Sequence, residues 1–276
     1  MKIGKIIKNY KLVEKISSCI WKVECLTRNE MFVMKIFYKG DERCCSNEIK
    51  FNKTIRDKIM FPKRSSMYCA IVMILYPETL HTFIKKLHAF DTDITLEIAN
   101  VCTNKLISSL QKLHLEDRVM HLDIKPDNIV LTECAENIIL GNASYEIEFI
   151  DFEFSHTMHA GQSLQMGTTS YSAPEVLMCE KYNHESDIWS LGCCIYELYT
   201  DERLTDYSSA CAVLDEIEKL IGPSKIKCEY NKYRIRRIKK HPRHLLKRLC
   251  RKWHKCDAKK IATILKPMLR YKKRTI

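Results

Sequence analysis

The sequence predicts an α+β fold: a strand-rich N-terminal part followed by a helix-rich C-terminal part, with the break near Tyr76. Three observations carry this. Residues 10–38 alternate and are rich in β-branched and aromatic types, as in MFVMKIFY. Beyond residue 94 the apolar residues recur at helical spacing. And 276 residues, 46% of them hydrophobic with only 7 Gly and 7 Pro, suit one large domain or two lobes sharing a cleft, not a low-complexity chain.

In chain order, residues 10–38 read as a short antiparallel meander turning near Thr27-Arg28-Asn29-Glu30. Residues 43–57 read as a short helix. Ala70 to Pro77, AIVMILYP, is a buried strand stopped by its proline. Leu96, Ala99, Cys102, Leu106, Leu110 and Leu113 mark a helix over 94–116. Short strands follow around Asn128–Leu131 and Ile147–Asp151, with an extended hairpin expected over Glu133–Tyr145. An apolar helix runs from Ser186 to Tyr199, and the remainder is mainly helical.

The N-terminus, MKIGKIIKNYKLVEK, lacks the apolar run of a signal peptide, and no stretch approaches the ~18 uncharged apolar residues of a membrane span. The expectation is a soluble intracellular protein, cytoplasmic or nuclear, with no membrane partner. The 14 Cys form no C-x-x-C, which argues against structural zinc; they read as reduced thiols, mostly small buried hydrophobes. The formal charge of +12 is uneven. Lys225 to Ile276 holds 21 Lys or Arg against 2 Asp or Glu, so this segment carries +19 and the rest −7. Three readings stay open for it: a nonspecific nucleic-acid or nucleoprotein contact, a nuclear address, or the solvated faces of helices.

The most specific run is His121-Leu122-Asp123-Ile124-Lys125-Pro126-Asp127-Asn128. Asp151-Phe152-Glu153 begins 23 residues after Asn128, then come Ala173-Pro174-Glu175 and Ser186-Asp187-Ile188-Trp189-Ser190-Leu191-Gly192, all after a Val33-Met34-Lys35 strand. Four motifs in this order resemble the eukaryotic protein kinases, over about residues 10–200. The compact size and eroded glycine loop further resemble the kinases of large DNA viruses. The resemblance implies the bilobal kinase fold, with an N-lobe over 1–76, a C-lobe over 77–276 including the basic segment from about 225, and ATP in the cleft.

The resemblance also assigns roles. Asp123 is the catalytic base, and Lys125, two residues on, reaches the transferring phosphate and accompanies Ser/Thr specificity. Asn128 and Asp151 offer oxygen to Mg2+, with Mn2+ as an alternative, as hard cations require. Lys35 resembles the strand lysine on the α- and β-phosphates, with Glu48 as its helix partner and Glu42 as the competitor. Thr168, in Gly167-Thr168-Thr169-Ser170-Tyr171, would bond near Asp123 and seat a Ser or Thr acceptor. Asp187 would brace the catalytic loop through backbone N–H groups. Met73 falls at the gatekeeper position, and Ile74–Tyr76, with Leu75 at its centre, at the adenine-contacting hinge. Ile16, Ser17, Cys19 and Val23 complete the nucleotide site.

Four departures from the pattern stand out. In Ile16-Ser17-Ser18-Cys19-Ile20-Trp21-Lys22-Val23, Ser17 and Cys19 replace two glycines and the third is deleted, so ATP binding is expected to be weaker or differently shaped. Glu153 replaces a glycine; of metal ligation and a solvent-facing side chain, we read the latter. Leu122 replaces the arginine that receives an activation-loop phosphate, which implies activity without one. Asp257 stands where an arginine usually pairs with the glutamate of Ala-Pro-Glu, so Glu175 must find another cation or stay solvated. The reading is a serine/threonine kinase acting on protein substrates, with cationic sites favoured by Asp127 and the −7 body. Its rivals are a pseudokinase scaffold and a nucleic-acid-associated binding protein.

Overall fold

The computed structural model describes residues 1–158, 167–222 and 244–271. The chain divides into two compact units, Met1–Pro77 with Ile150–Ser155, and Glu78–Phe149 with His156–Ile276.

In the first unit, β1 (Ile6–Ile7), β2 (Tyr10–Lys15), β3 (Ile20–Cys25), β4 (Glu30–Tyr38), β5 (Ile55–Met60) and β6 (Met67–Ile74) form one antiparallel sheet in the order β1-β2-β3-β4-β6-β5. The turn before β4 closes with Asn29 at φ 55, a conformation asparagine tolerates better than most residues. Alternation sorts the side chains onto two faces. Leu12, Trp21, Val23, Phe32, Met34, Ile36, Ala70 and Val72 form one buried cluster. Phe37, Cys69 and Ile71 form another with Cys45 of α1 (Glu42–Phe51).

The helix expected over 43–57 stops at Phe51. Asn52 turns extended, and its side-chain oxygen accepts hydrogen bonds from the Thr54 N–H (2.8 Å) and hydroxyl (2.7 Å). This turn of the asparagine side chain onto its own chain competes with helix propagation. Ile55, Asp57 and Ile59 then alternate half-buried as β5.

The second unit is built on helices α2 (Leu80–Leu87), α3 (Thr92–Leu115), α5 (Pro174–Leu177), α6 (Glu185–Thr200), α7 (Ala210–Ile221), α8 (His244–Leu249) and α9 (Lys255–Met268). α3 begins where the Asp91 carboxylate accepts from the Ile94 N–H at 2.9 Å. Every residue of α6 from Ser186 on is buried. A Cβ at Gly192 would lie 3.0–3.1 Å from side-chain atoms of Leu269 and Met268, so glycine allows the end of α9 to close on α6. Trp253 donates to the Tyr199 carbonyl at 2.9 Å on the same helix.

Two short β-pairings frame the loop that carries the chemistry. β8 (Val119–Met120) pairs with β11 (His156–Thr157), and β7 (Glu78–Thr79), β9 (Ile129–Leu131) and β10 (Ile147–Phe149) form a three-stranded sheet. The connection from β9 to β10 is not the extended hairpin expected. It contains the one-turn helix α4 (Ala135–Ile139), which buries Ala135 and Ile138; Glu78 accepts from the Ala135 N–H and Lys86 pairs with Glu136 at 3.1 Å. Among the described residues no helix is long and apolar enough to cross a membrane. Thirteen described cysteines are free; six are buried and four exposed, so the thiols are less uniformly buried than expected. Burial pushes the Cys45 and Cys102 thiols up to about 12.

Candidate active site

The first unit places Lys35 on β4, pointing to the face covered by α1. Its Nζ lies 3.4 Å from Glu48, 2.6 Å from Asp151 and 2.7 Å from Glu153. Burial alone would favour loss of the Lys35 proton, but Glu48, Asp151 and Glu153 more than reverse this and hold it as an ammonium. Glu48 is fully buried and accepts from Asn52 Nδ2 at 2.5 Å, four residues on in sequence. Glu42 instead accepts from the Gly40 N–H on the surface, so the helix partner of Lys35 is Glu48. Asp151 has φ 68, a conformation in which a non-glycine residue is strained. Asn47 Nδ2 donates to the Glu153 carbonyl at 2.8 Å, tying that segment to α1. Glu153 therefore does not turn to solvent as expected: its carboxylate finds a buried cation far away in the chain.

Strand register corrects one nucleotide-site residue. Ile20, Lys35 and Ile71 are cross-strand partners, as are Lys22, Val33 and Met73, so these six share a face. Val23 lies on the opposite face, fully buried in the other cluster. The residues of β3 on the Lys35 face are Ile20 and Lys22. Ile16 and Ser17 are exposed, and both N–H groups donate to the Ile20 carbonyl, at 2.9 and 3.1 Å. No residue from 16 to 20 has a positive φ, so this turn forms without glycine. Cys19 is half-buried, as are Met73 and Leu75, and the Met73 sulfur accepts from Asn52 Nδ2 at 3.2 Å.

The second unit places Asp123 in the loop between β8 and β9. One carboxylate oxygen accepts from Lys125 Nζ (2.8 Å) and Asn128 Nδ2 (3.0 Å); the other accepts from the Thr168 N–H and hydroxyl, both at 2.8 Å. Lys125 also donates to the Thr168 hydroxyl at 3.0 Å, and Asn128 Nδ2 to the Asp123 carbonyl at 2.9 Å. With its amide nitrogen committed to Asp123, Asn128 presents its oxygen as the remaining ligand atom. Asp127 is exposed in the 3-10 turn Pro126–Asn128.

This loop is braced from α6. Asp187, fully buried, accepts from the backbone N–H of His121 and Leu122, both at 2.8 Å, and from His114 Nε2 at 2.9 Å. Burial opposes its charge, yet these bonds outweigh it and hold the carboxyl below its usual range. Gly167, at φ +77, lies against the loop: a Cβ there would collide with the Leu122 carbonyl oxygen and lie 3.2 Å from the Asp123 carboxylate. Glu175 is buried, not solvated, and accepts from the Ser186 hydroxyl at 3.0 Å; Asp257 pairs with Lys260 at 3.1 Å.

Comparison with known sequences agrees with this geometry. The model of the protein kinase domain matches residues 10–262. The chain belongs to the protein kinase family. This kinase domain is 32% identical over 127 residues to the serine/threonine-protein kinase prpf4B of Dictyostelium discoideum, covering 46% of the chain and 14% of that relative. It is 25% identical over 202 residues to the serine/threonine-protein kinase AFC1 of Arabidopsis thaliana, covering 66% and 42%. The chain thus spans less than half the length of these curated relatives. Its fold is the α+β kinase fold.

Motif reading named the residues of both networks but missed their supports. Asn47, Asn52 and His114 carry no motif. Asn52 alone had a signal, its i, i+4 spacing from Glu48 on one helix face. The basic run Arg234, Arg236, Arg237, Lys239 and Lys240 lies outside the described residues.

Proposed function

We propose that this domain is a serine/threonine protein kinase that transfers the γ-phosphoryl group of ATP to protein hydroxyls and needs no phosphate on its activation loop. The observation that carries the reading is the Asp123 network: a buried carboxylate, its two oxygens fixed by Lys125, Asn128 and Thr168. Phosphoryl transfer asks for placement and charge neutralisation more than covalent chemistry.

Asp123 orients the acceptor hydroxyl and takes its proton as that oxygen attacks the γ-phosphorus and the bond to ADP breaks. Lys125 stabilises the charge on the transferring group. Thr168 helps seat a Ser or Thr acceptor. Lys35, held charged by its carboxylates, takes the α- and β-phosphates, and Glu48 fixes Lys35. The nucleotide lies along Ile16, Ser17, Cys19, Ile20, Met73 and Leu75. Asp151 and Asn128 offer oxygen donors of the kind Mg2+, or Mn2+, requires. When bound, the ion neutralises phosphate charge.

Leu122 supports independence from activation-loop phosphorylation, since a leucine cannot bind a phosphate. Asp127, exposed beside the loop, supports a preference for cationic substrate sites. The +19 segment supports a second, salt-sensitive contact with nucleic acid that reads phosphates and not bases. Anisotropy titration with random-sequence DNA at 50 and 200 mM salt tests that contact; indifference to salt removes it.

The main test is incubation with labelled ATP, magnesium and a panel of basic and acidic proteins, beside Asp123→Asn and Asp151→Ala. Phosphoserine or phosphothreonine should form with the wild type and fall roughly 10²-fold or more in each variant. Nucleotide binding without turnover would make the domain a scaffold. Phosphatase treatment should leave the rate unchanged; a large drop would show that another cation receives a loop phosphate.

A further inference from the structure

Glu153 follows Asp151-Phe152 at the position where kinases carry a glycine, and a glycine places no side chain. Here the side chain reaches back to Lys35, with Oε1 2.7 Å from Nζ. Lys35 thereby meets three carboxylates at once: Asp151 at 2.6 Å, Glu153 at 2.7 Å and Glu48 at 3.4 Å. Nζ donates hydrogen bonds to Asp151 and Glu48 and meets Glu153 as an ion pair. One cation among three anions also leaves net negative charge where a polyphosphate would have to bind.

The three carboxylates are not equally committed. Glu48 is fully buried and fixed by Asn52 at 2.5 Å. Asp151 makes the shortest contact and sits on a strained backbone. Glu153 has a side chain 23% exposed, while its backbone is pinned separately, its carbonyl accepting from Asn47 Nδ2 at 2.8 Å. The backbone can therefore stay on α1 while the carboxylate swings toward water. Asp151 is as exposed, at 28%, but Lys35 donates a hydrogen bond to it as to Glu48, whereas Glu153 is held by charge alone and is the one placed to leave.

We propose that Glu153 is an internal competitor of the nucleotide: its carboxylate pairs with the Lys35 ammonium where a phosphate oxygen would sit, and ATP binds by displacing it. The inference rests on the reading of Lys35 as the phosphate-holding lysine. It makes Glu153 a specificity-determining residue for polyphosphate affinity. The domain then fills with ATP only at higher concentration than the same domain with glycine at this position.

The test compares wild type with Glu153→Gln, which keeps the shape and removes the charge, and Glu153→Gly, which removes the side chain. Calorimetric Kd for ATP with magnesium is measured alongside KM and kcat on a basic peptide. Both variants should lower Kd and KM for ATP by roughly 2- to 5-fold, the range for a partly exposed ion pair, and change kcat much less. If Glu153→Gly fails to fold, Glu153→Gln decides alone. An unchanged or raised Kd in Glu153→Gln overturns the proposal and leaves the kinase reading standing. Lys35→Met separates the two: if it binds ATP and turns over like wild type, the reading of Lys35 itself has failed.

Discussion

At the scale of single residues, the position of Asp123 is set by two backbones in the left-handed region. Leu122 has φ 67, a strain of about 1–3 kcal/mol for a residue with a Cβ, and the Asp187 carboxylate holding its N–H offsets it. Gly167 has φ +77 and no room for a Cβ against the Leu122 carbonyl. We therefore expect Gly167→Ala to displace Thr168 from Asp123 and to lower kcat at least tenfold, with steady-state kinetics and a thermal melt as the checks. An alanine variant with wild-type kcat would show that Thr168 does not need this approach. The residues legible from sequence are those the chemistry demands by type and order, namely Lys35, Asp123, Lys125, Asn128, Asp151 and Asp187. Val23 was misplaced because one step along a strand moves a side chain to the other face, and the motif spacing does not fix that parity. Glu153 was misread because its partner lies far away in sequence, where no local pattern points.

At the scale of elements, Asn52 joins three functions at the end of α1. It ends the helix, starts β5 through Thr54, and donates to both Glu48 and Met73. Asn52→Ala removes these bonds from a buried place, so it should destabilise the domain by about 1–3 kcal/mol in urea unfolding. It should also raise KM for ATP by loosening Glu48 under Lys35. A variant with unchanged stability and KM would reduce Asn52 to a bystander. Periodicity made the strands, α3 and α6 legible, because burial on one face imposes it. It did not reveal the stop at Phe51 or the turn of helix in the β9–β10 connection. Both are decided by side-chain bonds, from Asn52 to Thr54 and from Glu78 to the Ala135 N–H, that leave no periodic trace.

At the scale of the whole molecule, half-buried histidines give stability a pH dependence with a definite sign. Burial pushes His88 and His184 below the usual 6.5. His88 donates from Nε2 to the Leu198 carbonyl at 2.9 Å, near Lys252, Lys85 and Asp201; His184 meets the His114 ring edge-on at 5.4 Å, near Arg118, Glu185 and Asp187. The unfolded chain takes up these protons near pH 6.5 while the folded one resists them, so stability falls as pH drops below that value. Asp187 acts lower: its contribution is present above its usual 3.8 and is lost as pH falls through its depressed folded value. Urea midpoints should be lower at pH 5.5 than at 7.5, and His88→Gln should narrow the gap; equal midpoints would contradict the assignment. The uneven charge was legible as composition, but what the +19 segment does was not, because counting cations does not say what they face.

The closure of α9 on α6 also sets an order of events during synthesis. α6 is buried along nearly its whole length, yet part of its cover, Trp253, Met268 and Leu269, is translated well after α6 itself. Its first turn holds Asp187, which braces a loop made far earlier. Domains fold as units while the ribosome still elongates the chain. We expect the geometry around Asp123 to settle only when residue 269 has left the exit tunnel, so a chain stalled before that point should show no phosphotransfer. Stalled chains with residue 250 exposed should be cut by protease within α6, and those with residue 271 exposed should resist. Equal resistance would mean that α6 docks without its last neighbour.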